Sequence, residues 1–402
     1  MTPMRYQKVL LMIMIAISSC QKEVSPVPAL IESFTPDKGG TGNLVSIIGE
    51  KFGEDSLQTT ISFNGRQVTN ILRYTDTLII VAVPSGVTTG KISISISGAI
   101  TNSTKDFIIL PGTWIRKKDN AAPNFDIRSD GIAFSVGNTG YYGLGYNGGT
   151  TLKDFASYDA ATDTWKRLPD GGIDFQSGIA MVINNKVYTG LGQAFSLNPS
   201  IMKQIWEFDP SNNTWTRKKD FPGSARWAAI GIALSDKGYV GLGDPGGGSI
   251  LRDWWEYDPA TDNWTQKKDN PSLKQFWWPA GFSINGRIFV GTSAYGHSHE
   301  WYEYVPSTDN WIRRADFPSQ ITFSPASFVI GNKGYIAGGG PECWAYDPST
   351  DSWAQQAFIR QIIAGRAFVL NNKGYFLPGV GGGGSTNSEY WNKEVWEFTP
   401  GN

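Results

Sequence analysis

EYDPATDNWTQKKD occupies residues 256–269, and the chain says nearly the same thing four more times. FDPSNNTWTRKKD stands at 208–220, YDAATDTWKRLPD at 158–170, YVPSTDNWIRRAD at 304–316 and YDPSTDSW at 346–353. The tryptophans of these phrases, with Trp114 before them, fall at 114, 165, 215, 264, 311 and 353. The spacings of 51, 50, 49, 47 and 42 residues are the period of propeller blades or solenoid repeats. Each unit carries four short β-rich runs. In the unit from 215 they are WTRKKD, AAIGIAL, KGYVGLG and DWWEYDP. Gly, Pro, Asn and Asp separate the runs, and no sustained 3.6-residue apolar period follows the first twenty residues, so the chain reads as all-β.

The small-residue first strand, the Gly-rich second strand and the Tyr-Asp-Pro before Trp closely resemble the kelch repeat, over about 290 residues. The resemblance implies a six-bladed β-propeller over 113–402. The last unit stops at Asn402 without its Trp strand, and TWIRKKD at 113–119 is the strand left over at the other end. Pairing the two closes the ring and removes two exposed edges.

The 402 residues allow more than one domain. Residues 1–19 pair a charged start (Arg5, Lys8) with the short apolar run VLLMIMIAIS. That run is too short to span a bilayer and reads as a secretory signal. ISSC, ending at Cys20, resembles the lipobox of bacterial lipoproteins, which implies lipidation of Cys20 and a tether over 20–29. QKE after the cysteine resembles the tags of lipoproteins exported to the outer surface, so the expected location is the outer membrane, surface-exposed or periplasmic. Only Cys343 then remains, and no internal disulfide can form.

Residues 30–110 alternate apolar and polar positions, as at Leu44, Ser46, Ile48 and at Ile92, Ile94, Ile96, between Pro/Gly turns. About seven strands in this length suggest a β-sandwich. FTPDKGGTG, VSIIGEKFG and VPSGVTTGKISISIS resemble the IPT/TIG immunoglobulin-like domains, which implies a rigid spacer.

With strands lettered A to D from the centre of each unit outward, the A–B and C–D turns share one face and the B–C and D–A segments share the other. The A–B turns are uniform (INNK, LSDK, INGR, IGNK, LNNK), whereas the B–C and D–A segments differ in every unit. Variable loops on a constant scaffold are where binding surfaces sit. Counting back from the strand-B aromatic, thirteen positions earlier stand Arg128, Phe175, Arg226, Phe276, Thr322 and Ile362. Twelve earlier stand Ser129, Gln176, Trp227, Trp277, Phe323 and Ile363. Trp278 follows one further on, and Arg366 lies inside strand A. The candidate ligand-binding residues are therefore Arg128, Arg226, Trp227, Phe276, Trp277, Trp278, Phe323 and Arg366. Aromatic rings stack on sugar C–H faces, and Arg forks a carboxylate.

Catalytic readings are thinner. The two histidines, His297 and His299, share one loop, which is too few imidazoles for a copper site. The sequence shows no zinc spacing, serine triad or phosphate loop, and the expectation is no cofactor. The architecture resembles the secreted N-acetylneuraminate epimerases, and mutarotation needs an acid/base group and a cation. Glu300 and Glu342 invite the first role. They share a column with Asp154, Gln204, Asp253 and Glu394, however, and so read as acceptors for B–C loop amides. A net charge of −1 gives no basic surface for nucleic acid. The sequence thus predicts a monomeric, lipid-anchored binding protein for a glycan or an extracellular protein. A sugar mutarotase and a purely protein-interaction module are the alternatives.

Overall fold

The computed structural model describes residues 28–401, apart from 121, 123, 248, 250, 294–297, 322–323, 340–341, 359–364 and 380–392. Cys20, Phe323 and His297 lie outside the described residues. Every named element is a strand except a single 3-10 turn at Pro306–Thr308.

The first 80 or so described residues form two sheets. One has the order Leu30–Thr35, Leu44–Glu50, Leu78–Ala82, Ile71–Tyr74. The other runs Lys38–Gly39, Ala99–Ile109, Gly90–Ile96, Thr59–Phe63, Arg66–Gln67. Their inner faces bury Val45, Ile47, Ile79, Val81, Ile61, Phe63, Ile92, Ile94 and Phe107. The facing of the second strand differs from the sequence reading. LVSII is apolar at both parities, and pairing turns Val45 and Ile47 inward, leaving Leu44 and Ile48 51% and 40% exposed.

Residues 113–399 form six four-stranded antiparallel sheets, consistent with a propeller. The first five each use four consecutive strands, beginning at Ile132–Val136, Ile179–Ile183, Ile230–Leu234, Ala280–Ile284 and Ala326–Ile330. The sixth joins Gly365–Leu370, Lys373–Pro378 and Val395–Thr399 to Thr113–Lys117, in register from Thr113↔Thr399 to Lys117↔Val395. The A strands neighbour one another in chain order, and the sixth also lies against the first.

Local chemistry explains the repeated words. At Asn184–Asn185, Asn285–Gly286 and Asn371–Asn372 both central A–B residues are left-handed, as a two-residue hairpin with the strands' own twist requires. The glycine ending strand B is imposed by close approach. A Cβ on Gly190, Gly241 or Gly291 would stand 1.9, 2.4 or 2.1 Å from the carbonyl oxygen of Gln204, Asp253 or Glu300.

The C–D phrase is likewise structural. Asp258 accepts the Ala260 amide (3.0 Å), closing the turn locally. Asp262 acts beyond its own turn. It takes the Tyr257 hydroxyl (2.6 Å) and reaches the Lys219 amide of the preceding sheet (3.1 Å). Asp163, Asp309 and Asp351 repeat both contacts, with Tyr158, Tyr304 and Tyr346 and with the amides of Lys118, Lys268 and Ala315. The following tryptophan adds an indole bond to the neighbour, as in Trp311 to the Lys268 carbonyl (2.8 Å) and Trp353 to that of Ala315 (3.0 Å). The basic residues of the phrase are also engaged within the protein. Arg217 pairs with Asp220, Lys218 with Glu207 at 3.5 Å, and Lys219 donates to Asn263 at 2.9 Å.

The two domains touch through one residue in particular. Asn43 accepts the Gly40 amide (2.6 Å) and donates to the Phe358 carbonyl (2.7 Å). Beside it the Ala357 amide bonds the Pro111 carbonyl (2.6 Å), and the Ala357 carbonyl accepts from the Trp114 indole (2.8 Å).

Candidate functional site

Among the described residues, three columns lead from the D–A segments into strand A, and each takes its own direction. The four described members of the column thirteen before the strand-B aromatic turn inward. Phe175 and Phe276 are core residues, and Arg128 and Arg226 are 2% and 0% exposed. Arg226 forks Asp253 (2.8 and 2.7 Å), bonds the Leu242 and Ser224 carbonyls and lies over the Phe221 ring. Arg128 repeats this with Asp154, the Leu144 and Asp126 carbonyls and Phe125. These two arginines and Phe276 therefore hold the loops in place and present nothing to a ligand.

The acidic column explains itself in the same way. Glu300 accepts from Ser272 and from Tyr302 (3.0 Å), and Glu342 from Ser319 and from Trp344 (3.0 Å). Asp253 also takes the Trp255 indole (2.8 Å). The expected loop-amide partners are replaced by side chains of the D–A segment and the ring two residues on. Each carboxylate thus clamps a D–A segment to the head of strand C.

In the column twelve before the aromatic, Ser129 is buried, whereas Gln176, Trp227 and Trp277 are half-buried at the rim. Trp227 pairs its backbone with Asp244 (3.0 and 2.9 Å), and the Trp277 amide donates to the Ser293 hydroxyl (3.0 Å). The next column turns over. Asp130, Ser177, Ala228 and Trp278 have φ of 51°, 52°, 53° and 47°, and their backbones join head to tail. The Ser177 amide donates to the Asp130 carbonyl (2.9 Å), Ala228 to Ser177 (2.9 Å) and Trp278 to Ala228 (3.1 Å).

Ser177 and Trp278 of this column, with Ser324 in the same register, line a cavity of about 150 Å³ between the A strands of all six sheets, and Asp130 lies behind its lining. The strands line it with small residues such as Ala133, Ala180, Gly231 and Gly281, and Trp278, Ser177, Ser324 and Arg366 add the functional groups. Trp227, Trp277 and Trp278 are all half-buried and form one cluster. Trp227 lies 6.0 Å from Trp277 at 44° and 5.2 Å from Trp278 at 88°, while the Trp278 indole points to Ser177 (3.3 Å). Arg366 stands where the other A strands carry Ile132, Ile179, Ile230, Ala280 and Ala326. Its Nη2 meets Asp130 of the first sheet at 3.3 Å. Burial pushes the Asp130 carboxyl above its usual range, with Arg366 and Ser129 pulling the other way.

Of the eight residues expected from sequence, the structure brings together Trp227, Trp277, Trp278 and Arg366 and buries Arg128, Arg226 and Phe276. Asp130, Ser177 and Ser324 were missed, although extending the alignment by one column finds all three. His299 bonds the Phe317 carbonyl (2.9 Å), and no group of three or more potential metal-ligating side chains exists among the described residues.

Comparison with known proteins locates two resemblances. A profile of the IPT/TIG domain matches residues 29–109. Those residues are an IPT/TIG domain. The chain is also 35% identical over 78 residues to an N-acetylneuraminate epimerase of Yersinia enterocolitica serotype O:8 / biotype 1B. That stretch is 19% of this chain and spans 18% of the epimerase's length.

Proposed function

We propose that residues 113–402 are a six-bladed kelch propeller closed by the strand from 113, carried on the IPT/TIG domain as a spacer. In this reading the chain is anchored through lipidated Cys20 at the outer membrane, and its B–C/D–A face binds a glycan. The observation that carries the binding role is the cluster of Trp227, Trp277 and Trp278 beside the A-strand cavity. Its half-buried indoles offer rigid apolar faces at little entropic cost, next to hydroxyls that can orient a polyol. A glycan array probed with the chain from residue 28 tests this. Retention of a sugar that Trp227→Ala abolishes supports the reading, and an array without hits turns it toward an extracellular protein ligand.

The similarity to an N-acetylneuraminate epimerase favours a second reading, mutarotation of a sugar at the same mouth, with Asp130 as the titratable group and Arg366 as the cation. NMR exchange between sialic acid anomers decides it. Accelerated interconversion that Asp130→Asn removes would make the chain an enzyme.

A further inference from the structure

The three arginines among the candidate residues are each already matched to a carboxylate of the protein. Asp154 neutralises Arg128 and Asp253 neutralises Arg226, both below the surface. Arg366 is the one that reaches the cavity, and it too is occupied. Its Nε donates to the Gly131 carbonyl (2.8 Å), and Nη1 to Ser324 (2.7 Å) and the Gly365 carbonyl (2.9 Å). Nη2 donates to Asp130 at 3.3 Å. A guanidinium has five N–H donors, and four of these are committed.

We infer that Asp130 fills the place on Arg366 that a ligand carboxylate would take, so the channel mouth excludes acidic sugars and admits uncharged ones. This rests on the glycan-binding reading above and adds the charge of the ligand to it. Asp130 is 8% exposed, and the Arg366 side chain only 17%. A second carboxylate seeking Arg366 from the cavity would come close to the buried Asp130 bonded behind it, where like charges repel more strongly than in water. Discrimination then comes from a built-in repulsive group, not from an added contact. The aromatic cluster is indifferent to charge, since it takes C–H faces alone. The device is carried by one position, because the equivalent residues in the next two repeats are Ser177 and Ala228.

The test compares methyl glucoside with methyl glucuronide, which differ only at C6, by saturation-transfer NMR on the chain from residue 28. Asp130→Asn suits the purpose because Asn tolerates the left-handed φ of 51° at this position. Asp130→Gly is a second variant with the same freedom, and melting curves verify that both fold. The wild type is expected to discriminate against the glucuronide, and both variants to bind it about tenfold better, as removal of one repulsive charge predicts. Wild-type protein that takes the glucuronide as readily as the glucoside overturns the inference. So do folded variants that gain nothing. If the variants gain the glucuronide while no neutral glycan binds any form, the gate at Asp130 stands and the neutral-glycan reading fails.

Discussion

The two ends of the six sheets are built on opposite rules. At the C–D end one set of atoms is used again and again: tyrosine hydroxyl, carboxylate, neighbouring amide, indole and neighbouring carbonyl. At the B–C/D–A end each repeat solves the same packing problem with different side chains, Arg on Asp in two repeats and Ser on Glu in two others. The uniform end joins sheets to one another. At the variable end the charged and hydroxyl clamps each stay within one repeat, while sequence-indifferent backbone bonds such as Ser177 to Asp130 link the repeats, and this leaves the outermost side chains free to diversify. Repetition marks assembly, and divergence marks the place where a ligand could be met.

This contrast can be broken most forcefully from beneath the variable end. Arg226→Ala would leave Asp253 without its partner, and removal of one member of such a pair costs about 3–5 kcal/mol in denaturant unfolding. At the uniform end, Asp262→Ala removes acceptors from Tyr257 and from the Lys219 amide, for an expected loss of about 1–3 kcal/mol. The chain contains its own control, because the second repeat has Phe208 and Asn213 at the positions of Tyr257 and Asp262. The double change Tyr257→Phe with Asp262→Asn should therefore cost less than the two single changes summed. Strict additivity in that cycle would deny the coupling.

Acid should weaken both ends together. Burial raises the carboxyls of Asp253, Glu207 and Glu397, but hydrogen bonds and charge from Arg226, Lys186 and Lys373 outweigh it and hold them below their usual range. A depressed carboxyl contributes stability above its unfolded value, and that stability is lost as pH falls through the folded one. The melting temperature should accordingly be flat near neutrality and drop below about pH 4. A drop beginning at pH 6 would implicate other groups. The smallest stability effect is expected at the rim. Trp227→Ala forfeits ring contacts of about 0.5–1.5 kcal/mol, and under the proposed glycan reading it is expected to abolish retention on the array. A variant that unfolds instead would make this tryptophan a packing residue.

The sequence laid out the sheets better than the site, for a physical reason. Hairpin turns, end-of-strand glycines and the Tyr-Asp-Pro phrase are local requirements and recur where the geometry recurs. Side-chain direction near the mouth is not local in that sense. Positive φ at Asp130, Ser177, Ala228 and Trp278 interrupts the two-residue alternation of a strand, so neighbouring columns no longer face opposite ways by rule. Arg226 and Trp227 are adjacent in the chain, yet one is sealed in the interior and the other reaches the rim. Arg366 was legible because it breaks an apolar column. Leu44 and Ile48 misled because both faces of their strand are apolar, and pairing alone decides which is covered.

The bonds that Asn43, Pro111 and Trp114 make to Ala357 and Phe358 have a mechanical meaning. Among the described residues, this small junction and the five paired residues from Thr113 to Lys117 are where a pull between the cavity mouth and the IPT/TIG domain is carried. The strand that completes the last sheet is thus also the splice through which tension enters the other strands. Under tension the protein would part at that splice, with the five sheets built from consecutive strands still whole.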